Sequence, residues 1–161
     1  APDIQARFAD IVMALDLRHI DLERTVCLRS RGSSSRRVLG RCHGLGRAFQ
    51  AALGIKAFYV LEFIAERFDA LDEAAQEEVI IHELLHISQS FGGGFRHHDV
   101  VTGKRVRQVR ELFRRAKAAA AERPPRSFGR RNGLERPGRH PGQPDQGKKR
   151  EHDIDDDDPF Q

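Results

Sequence analysis

Three residues in the segment 79–87 have the types and the spacing needed to handle a metal ion: His82, Glu83 and His86. Histidines four residues apart on an α-helix project to the same side, so their two imidazoles can bind one Zn2+ ion. Glu83 follows the first histidine and can take the proton of a zinc-bound water. The pattern His-Glu-x-x-His is typical of zinc metallopeptidases, whereas two core histidines would leave unpaired imidazoles inside an apolar helix.

The helix that must carry these residues is predicted to begin at Asp72 and to end at the glycines 92–94. Asp72 can cap free amide groups, and the acidic residues after it suit the positive end of the helix dipole. Ile80, Leu84 and Ile87 share one face of this helix, which predicts a buried stripe. The two histidines then lie on the remaining strip and face a cleft.

A third metal ligand is expected after this helix, because catalytic zinc sites usually have three protein ligands. The glycines 92–94 allow the chain to reverse, and His97 and His98 follow them. Their spacing alone does not separate these two histidines. Glu111, on a later predicted helix, is a further alternative, although a solvated acid among arginines is the favoured interpretation of that residue.

The other segments predict an α+β fold. Apolar residues at helical spacing indicate an N-terminal helix, and β-forming residues indicate two strands that pair antiparallel across a turn. A third strand completes a three-stranded antiparallel ribbon before the active-site helix, and another helix closes the fold. The predicted ranges are 3–17 (helix), 24–30 and 38–43 (strands), 47–53 (helix), 56–64 (strand, with continuation as helix through 65–68 as the alternative) and 102 onwards (closing helix).

The 161 residues are predicted to form a single domain over 1–121 and a flexible tail over 122–161. The tail is rich in proline, glycine and charge and has few apolar residues, so it buries too little surface to fold. Its acidic end at 154–160 could fold back onto the basic closing helix as an intramolecular partner. A solvated, disordered end is the favoured interpretation of that segment.

Composition limits the classes of protein that remain. The net charge of +4 is too small to argue for nucleic acid by itself. No run approaches the roughly 18 apolar residues of a membrane span, and no leader pattern is visible. Cys27 and Cys42 make no disulfide framework. We therefore expect a cytoplasmic protein with two buried thiols and no membrane partner.

Several segments of the chain resemble the phage-type metallopeptidases, a family of small proteins found in archaea and viruses. The resemblance extends from Asp21 to Phe113. In the order of its elements the chain also looks like the minigluzincins and the SprT-like proteins. The segments that carry the resemblance are Arg29-Ser30-Arg31-Gly32-Ser33 with Arg36, Tyr59-Val60-Leu61-Glu62, Glu66-Arg67-Phe68-Asp69, Ile81-His82-Glu83-Leu84-Leu85-His86-Ile87, and the glycine turn with Arg96-His97-His98.

This resemblance implies a zincin-like fold and a zinc-dependent peptidase that cleaves peptides or proteins through a water activated by Glu83. It implies His82 and His86 as ligands, and it favours His98 over His97 as the third because the family motif closes with Arg-x-His. Related zincins bind the substrate as an extra strand, so the resemblance makes the segment 56–64 the candidate edge.

Other polar residues have secondary interpretations. Glu62 could orient a metal ligand, with an ordinary strand-face acid as an equal alternative. Tyr59 could stabilise an oxyanion, but a buried core tyrosine is favoured. Arg29, Arg31 and Arg36 could bind a substrate carboxylate or simply be solvated at a hairpin tip.

Two functions from other classes stay open at this point. A nucleic-acid-associated protein, in the manner of the SprT-like proteins, is indicated by the arginines and lysines of the closing helix. A catalytically silent module that holds zinc without turnover would use the same histidines. Replacement of Glu83 separates the silent module from the peptidase, because only the peptidase needs a proton acceptor there.

Overall fold

Helices cover a small sheet in this protein, whose computed structural model describes residues 1–35 and 37–122. Within those residues the chain forms five α-helices and one three-stranded sheet, which confirms the predicted α+β class. The elements are α1 (Pro2–Ala14), β1 (Thr25–Ser30), β2 (Gly40–Gly44), α2 (Arg47–Leu53), β3 (Tyr59–Ile64), α3 (Ala65–Phe68), α4 (Glu73–Leu85) and α5 (Gly103–Ala121).

The sheet is mixed, with the strand order β1-β3-β2. β3 is central: Leu61 lies opposite Cys27 of the parallel strand β1 and opposite Cys42 of the antiparallel strand β2. The predicted pairing of the first two strands is therefore wrong, and the predicted antiparallel ribbon is correct only for β2 and β3. The physical reason is burial, because Tyr59, Leu61 and Phe63 are fully buried and a central strand keeps such side chains covered from both sides.

The position of β3 also decides where another strand could be added. In the segment 56–64 the strand begins only at Tyr59, and α3 follows directly at Ala65. The strand prediction is therefore correct for 59–64, and the predicted helical continuation is correct for 65–68. Because β3 has a neighbour on either side, it is not an edge, and the predicted substrate edge at 56–64 is wrong. The edge strands are β1 and β2.

α1, α4 and α5 build the core against the inner face of the sheet. Their apolar residues recur every three or four positions, so each helix turns one continuous face inward. The histidine-bearing helix α4 contacts α1, α5 and β2, and this packing fixes its position. The buried helix residues are Ile4, Phe8, Ile11 and Val12 (α1), Ile80, Ile81 and Leu84 (α4), and Val106 and Phe113 (α5).

α4 begins as predicted but ends early. Asp72 caps it by accepting a backbone N–H at 2.7 Å. The helix ends at Leu85, well before the glycine run. Ile87 instead pairs with Phe95 in an isolated antiparallel bridge, and Gly93 adopts a left-handed φ of +85°. The chain therefore reverses directly after the second histidine, and this brings the following segment back alongside α4.

The remaining predictions concern membrane spans, the two cysteines and the tail. No helix of residues 1–35 and 37–122 combines the length and apolarity that a bilayer span requires. The cytoplasmic location stays a prediction. Cys27 and Cys42 are unbridged thiols, and burial raises the pKa of each to about 12. Arg36 and the predicted tail beyond Glu122, including its acidic end, lie outside the described residues.

Candidate metal centre

His82 and His86 meet at the C-terminal end of α4. Their Nε2 atoms are 3.2 Å apart, and their ring centroids are 4.9 Å apart. Two nitrogens bound to one tetrahedral zinc ion at about 2.0–2.1 Å are themselves about 3.3 Å apart. The separation of the two imidazoles therefore fits a shared ion.

His98 joins this pair from the segment after the glycine reversal. Its ring centroid lies 5.5 Å from that of His82 and 4.6 Å from that of His86. One ring nitrogen from each of the three histidines lies within 4.8 Å of the others. His98 is exposed whereas His86 is nearly buried, so the cluster opens to solvent on the side of His98. We call these three residues the histidine cluster.

The backbone of Arg96 orients one member of the histidine cluster. The Nδ1 atom of His86 lies 2.6 Å from the carbonyl oxygen of Arg96, and a carbonyl only accepts, so Nδ1 carries the proton. The Arg96 N–H in turn donates to the His86 carbonyl at 2.9 Å. The lone pair of His86 is thereby placed on Nε2, which faces the cluster. The sequence carries no signal for this contact, because the partner of the imidazole is a backbone carbonyl.

The surroundings also favour imidazoles that are free to bind metal. Burial lowers the pKa of His82, and the neighbouring His86 and His98 lower it further. Burial likewise lowers the pKa of His86, against the hydrogen bond to the Arg96 carbonyl, which raises it. A metal ion binds the neutral imidazole, so both shifts favour the form that can act as a ligand.

Glu83 is buried beside the cluster and lies against β2. Burial raises the pKa of Glu83 to about 7, against the backbone N–H of Cys42, which favours the carboxylate. A Cβ atom at Gly40 would lie 2.9 Å from Cγ of Glu83 and 3.0 Å from its Oε1. Glycine at this strand position therefore leaves the space that Glu83 occupies. Gly40 is not among the predicted site residues, because an isolated glycine in a strand is only a weak signal of close approach.

The histidine cluster and Glu83 line one open cavity of ≈ 870 Å3. β2 and the residues before it form one wall, and the first turns of α5 form another. A volume of this size lies within the range of ligand pockets, about 300–1,000 Å3. The cavity can therefore admit a substrate segment directly to the polar groups at the end of α4.

The two alternative third ligands lie outside the histidine cluster. His97 is exposed and is not a member of the group of converging donors. Glu111 is exposed on α5, where its carboxylate accepts a hydrogen bond from Arg115 at 2.8 Å. The geometry therefore brings together the set that contains His98.

The comparison with protein families gives one match. The sequence model described as "Putative phage metallopeptidase" matches residues 1–120. The chain belongs to this family. No curated protein and no solved structure matches the chain significantly. Membership of this metallopeptidase family is in keeping with the three converging histidines, since such enzymes act through a bound metal ion.

Some segments that carry the phage metallopeptidase resemblance serve the fold. Tyr59 is fully buried; its hydroxyl donates to the Gly94 carbonyl at 2.7 Å and accepts the Gly93 N–H at 2.9 Å. These two hydrogen bonds stabilise the chain reversal that precedes His98. Tyr59 is therefore a buried core tyrosine, the interpretation that the sequence favours. Arg29 is paired with Asp3 and with the aspartate at 69, at 2.6 and 2.9 Å.

Glu62 contacts neither histidine of α4. Its carboxylate accepts hydrogen bonds from His43 at 2.8 Å and from Arg41 at 3.3 Å, on the face of the sheet that points away from Leu61 and the core. The proposed orienting role of Glu62 is therefore wrong, and its alternative as a strand-face acid applies. The hydroxyl of Ser30, followed by His43 and Arg41, lowers the pKa of Glu62 to about 2.

This shift predicts how Glu62 contributes to stability. Because its folded-state pKa is depressed, the contribution is complete above the ordinary pKa and is lost as the pH falls toward about 2. We expect Glu62→Gln to lower the free energy of unfolding by about 1–2 kcal/mol at pH 7, after allowance for solvent screening, and by much less at pH 2.5. Urea denaturation at the two pH values measures this. Glu111→Gln, an exposed acid with an arginine partner, is the control and should change stability by less than about 0.5 kcal/mol at either pH.

Proposed function

We propose that the protein is a zinc-dependent peptidase that hydrolyses peptide bonds, with Glu83 as the proton acceptor. The observation that carries this proposal is the convergence of three imidazoles beside a buried glutamate in one open cavity. A structural zinc site is usually closed by four protein ligands, whereas three ligands in an open cavity are typical of a catalytic site.

The histidine cluster would hold the ion. Three neutral nitrogen donors suit Zn2+, and the 3.2 Å between the Nε2 atoms of His82 and His86 matches its coordination distances. When bound there, zinc would polarise the scissile carbonyl and lower the pKa of an attacking water. The Arg96 carbonyl keeps His86 in the tautomer that presents Nε2.

Glu83 would move the protons of the reaction. Its carboxylate would accept a proton from the attacking water and return it to the leaving amine. Gly40 and the Cys42 N–H border the carboxylate on the β2 side, so Glu83 has little freedom to turn away from the cavity. A restricted side chain loses less orientation entropy when the reaction begins.

The substrate would lie along β2 rather than along β3. On the β3 side of β2, the Leu39 carbonyl accepts the Ile64 N–H at 2.9 Å, and the Leu45 N–H donates to the Phe58 carbonyl at 2.8 Å. Because such bonds alternate along an antiparallel pair, Gly40 and Gly44 direct their backbone groups toward the open edge, as does the Cys42 carbonyl, whereas the Cys42 N–H donates to Glu83. A peptide added to that edge would pass Glu83 and the histidine cluster.

Two adjacent histidines provide a test of the ligand set. We expect His98→Ala to weaken zinc binding by about 100-fold, because it removes a direct ligand, and to lower peptide cleavage in parallel. The matched variant His97→Ala should keep both properties, since His97 lies outside the cluster. Zinc content after dialysis against graded chelator concentrations, together with cleavage of a fluorogenic peptide mixture, measures the two effects. Equal zinc binding by the two variants would contradict this ligand set.

The alternative of a nucleic-acid-associated protein has less support. It depends on the basic surface of α5, where Arg110, Arg115 and Lys117 already pair with acidic side chains at 2.8, 2.8 and 3.2 Å. Those charges are partly neutralised within the protein itself. The silent zinc module is addressed by the Glu83 variant discussed below.

A further inference from the structure

The cavity that contains the histidine cluster has a cationic lining. Four arginines line it, and two glutamates do so. One of these is Glu83, and the other, Glu78, accepts a hydrogen bond at 2.9 Å from Arg110, which also donates to Glu77. Among residues 1–35 and 37–122, the lining of the cavity therefore has more arginines than acidic residues. The four arginines are Arg37, Arg41, Arg96 and Arg107.

Three of these four guanidinium groups have no partner among residues 1–35 and 37–122. Arg41 is paired with Glu62 at 3.3 Å. For Arg37, Arg96 and Arg107, no side-chain hydrogen bond or ion pair joins them to a residue of that part of the chain. Elsewhere in the domain, arginines such as Arg29 are held by carboxylates. The cavity is therefore lined by three arginines that form no ion pair with residues 1–35 and 37–122.

The three arginines come from different walls of the cavity. Arg37 lies just before β2, and Arg107 lies on α5. Arg96 lies between Arg37 and Arg107 in the sequence. Its carbonyl accepts a hydrogen bond from Nδ1 of His86 at 2.6 Å, and its N–H donates to the His86 carbonyl at 2.9 Å. A peptide lying in the cavity would therefore meet Arg37 and Arg107 on different walls, and it would meet Arg96 where the backbone of that residue contacts His86.

We propose that this cavity contains a subsite for a carboxylate of the substrate peptide, formed by Arg37, Arg96 and Arg107. Arginine binds a carboxylate through two parallel hydrogen bonds. An amide or ammonium group on the substrate cannot accept both of these bonds. The carboxylate can come from an Asp or Glu side chain or from the C-terminus of the peptide. The cleavage of such peptides rests on the proposed peptidase function, whereas their binding does not.

Binding to an inactive form of the full chain tests this subsite directly. The Glu83→Gln variant, loaded with zinc, is titrated into fluorescein-labelled alanine-rich hexapeptides that carry one Glu, Gln or Lys at each position in turn. Each peptide is made with a free and with an amidated C-terminus. We expect a Glu peptide or a free C-terminus to bind about fivefold or more tightly than its neutral counterpart, and Lys peptides to bind most weakly. The side-chain and C-terminal series distinguish the two sources of the carboxylate.

Charge reversal in the same background locates the subsite. Arg107→Glu and, on the opposite wall, Arg37→Glu should each remove the preference for a carboxylate and strengthen the binding of Lys peptides. Both side chains are exposed, so neither change disturbs the core. Arg114→Glu is the matched control: it lies two turns further along α5, is also exposed, and does not line the cavity. It should leave the preference unchanged.

Three outcomes would overturn the subsite. The first is equal binding of Glu, Gln and amidated peptides. The second is an equal effect of Arg107→Glu and Arg114→Glu, which would indicate only the general charge of α5. The third is displacement of every peptide by a short duplex DNA whose own binding is lost in Arg107→Glu, which would assign the arginines to phosphate.

The subsite and the peptidase function can fail separately. If the unmutated chain cleaves no peptide but Glu83→Gln keeps the carboxylate preference, the peptidase proposal fails and the subsite stands. If the unmutated chain cleaves peptides but Glu83→Gln shows no preference for a carboxylate, the peptidase proposal stands and the subsite fails.

Discussion

Glu83→Gln is expected to lower the rate of peptide cleavage by about 1,000-fold while the protein still binds zinc. Glutamine has nearly the volume of glutamate, so it fits the space that Gly40 leaves beside Cγ of residue 83. It cannot accept a proton from water, however. The histidine cluster is unchanged by this substitution, and metal content should therefore match that of the unmodified chain. Single-turnover cleavage and zinc analysis of the same sample measure both quantities.

The control for this prediction is Glu77→Gln, the same chemical change one turn and a half earlier on α4. Glu77 pairs with Arg110 at 2.8 Å and does not line the cavity, so cleavage should change by less than about threefold. Full cleavage by Glu83→Gln would mean that another group accepts the proton. If the unmodified chain binds zinc but cleaves no peptide, and the Glu83 variant behaves identically, the silent zinc module would be favoured instead.

Gly93→Ala is expected to destabilise the fold by about 3 kcal/mol or more and to reduce zinc binding. Gly93 has a φ of +85°, which an alanine adopts only with strain. Its Cβ would also overlap the carbonyl oxygen of Leu45 and would lie 2.6 Å from Nε2 of Gln50. Because the segment that carries His98 follows this reversal, any shift of the backbone here moves the third imidazole away from the other two.

The neighbouring Gly94 provides a matched control within the same glycine run. A Cβ at Gly94 would meet no atom of the described residues within 4 Å, and Gly94 is not among their glycines with positive φ. Gly94→Ala should therefore cost less than about 1 kcal/mol and keep the zinc affinity. Urea denaturation and chelator competition on both variants give the comparison. Similar losses at the two positions would show that the reversal needs flexibility in general rather than one left-handed residue.

Local patterns predicted the part of the site that lies within one helix. The capping by Asp72, the buried face of α4 and the placement of His82 and His86 one turn apart all follow from helix geometry over neighbouring residues. The α+β class followed in the same way, from the order of periodic segments. The choice between His97 and His98 did not follow from spacing. The family resemblance favoured His98, and the fold brings that residue to the cluster.

The strand order could not be predicted from the chain locally. Alternation shows that a segment is a strand, but its partners are decided by the total apolar surface that each arrangement buries. The central place of β3 agrees with the full burial of Tyr59, Leu61 and Phe63. That arrangement leaves β2 at the edge, and it is β2 rather than β3 that borders the cavity.

What the sequence determined by itself is the pair of histidines and the glutamate on an amphipathic helix, because helix periodicity acts over a few residues. Tertiary structure alone decided that Gly40 makes room for Glu83, that the Arg96 carbonyl orients His86, and that arginines with no ion pair among residues 1–35 and 37–122 share their cavity. These contacts join atoms far apart in the chain, often through the backbone, and residue types carry no record of which backbone atoms will meet.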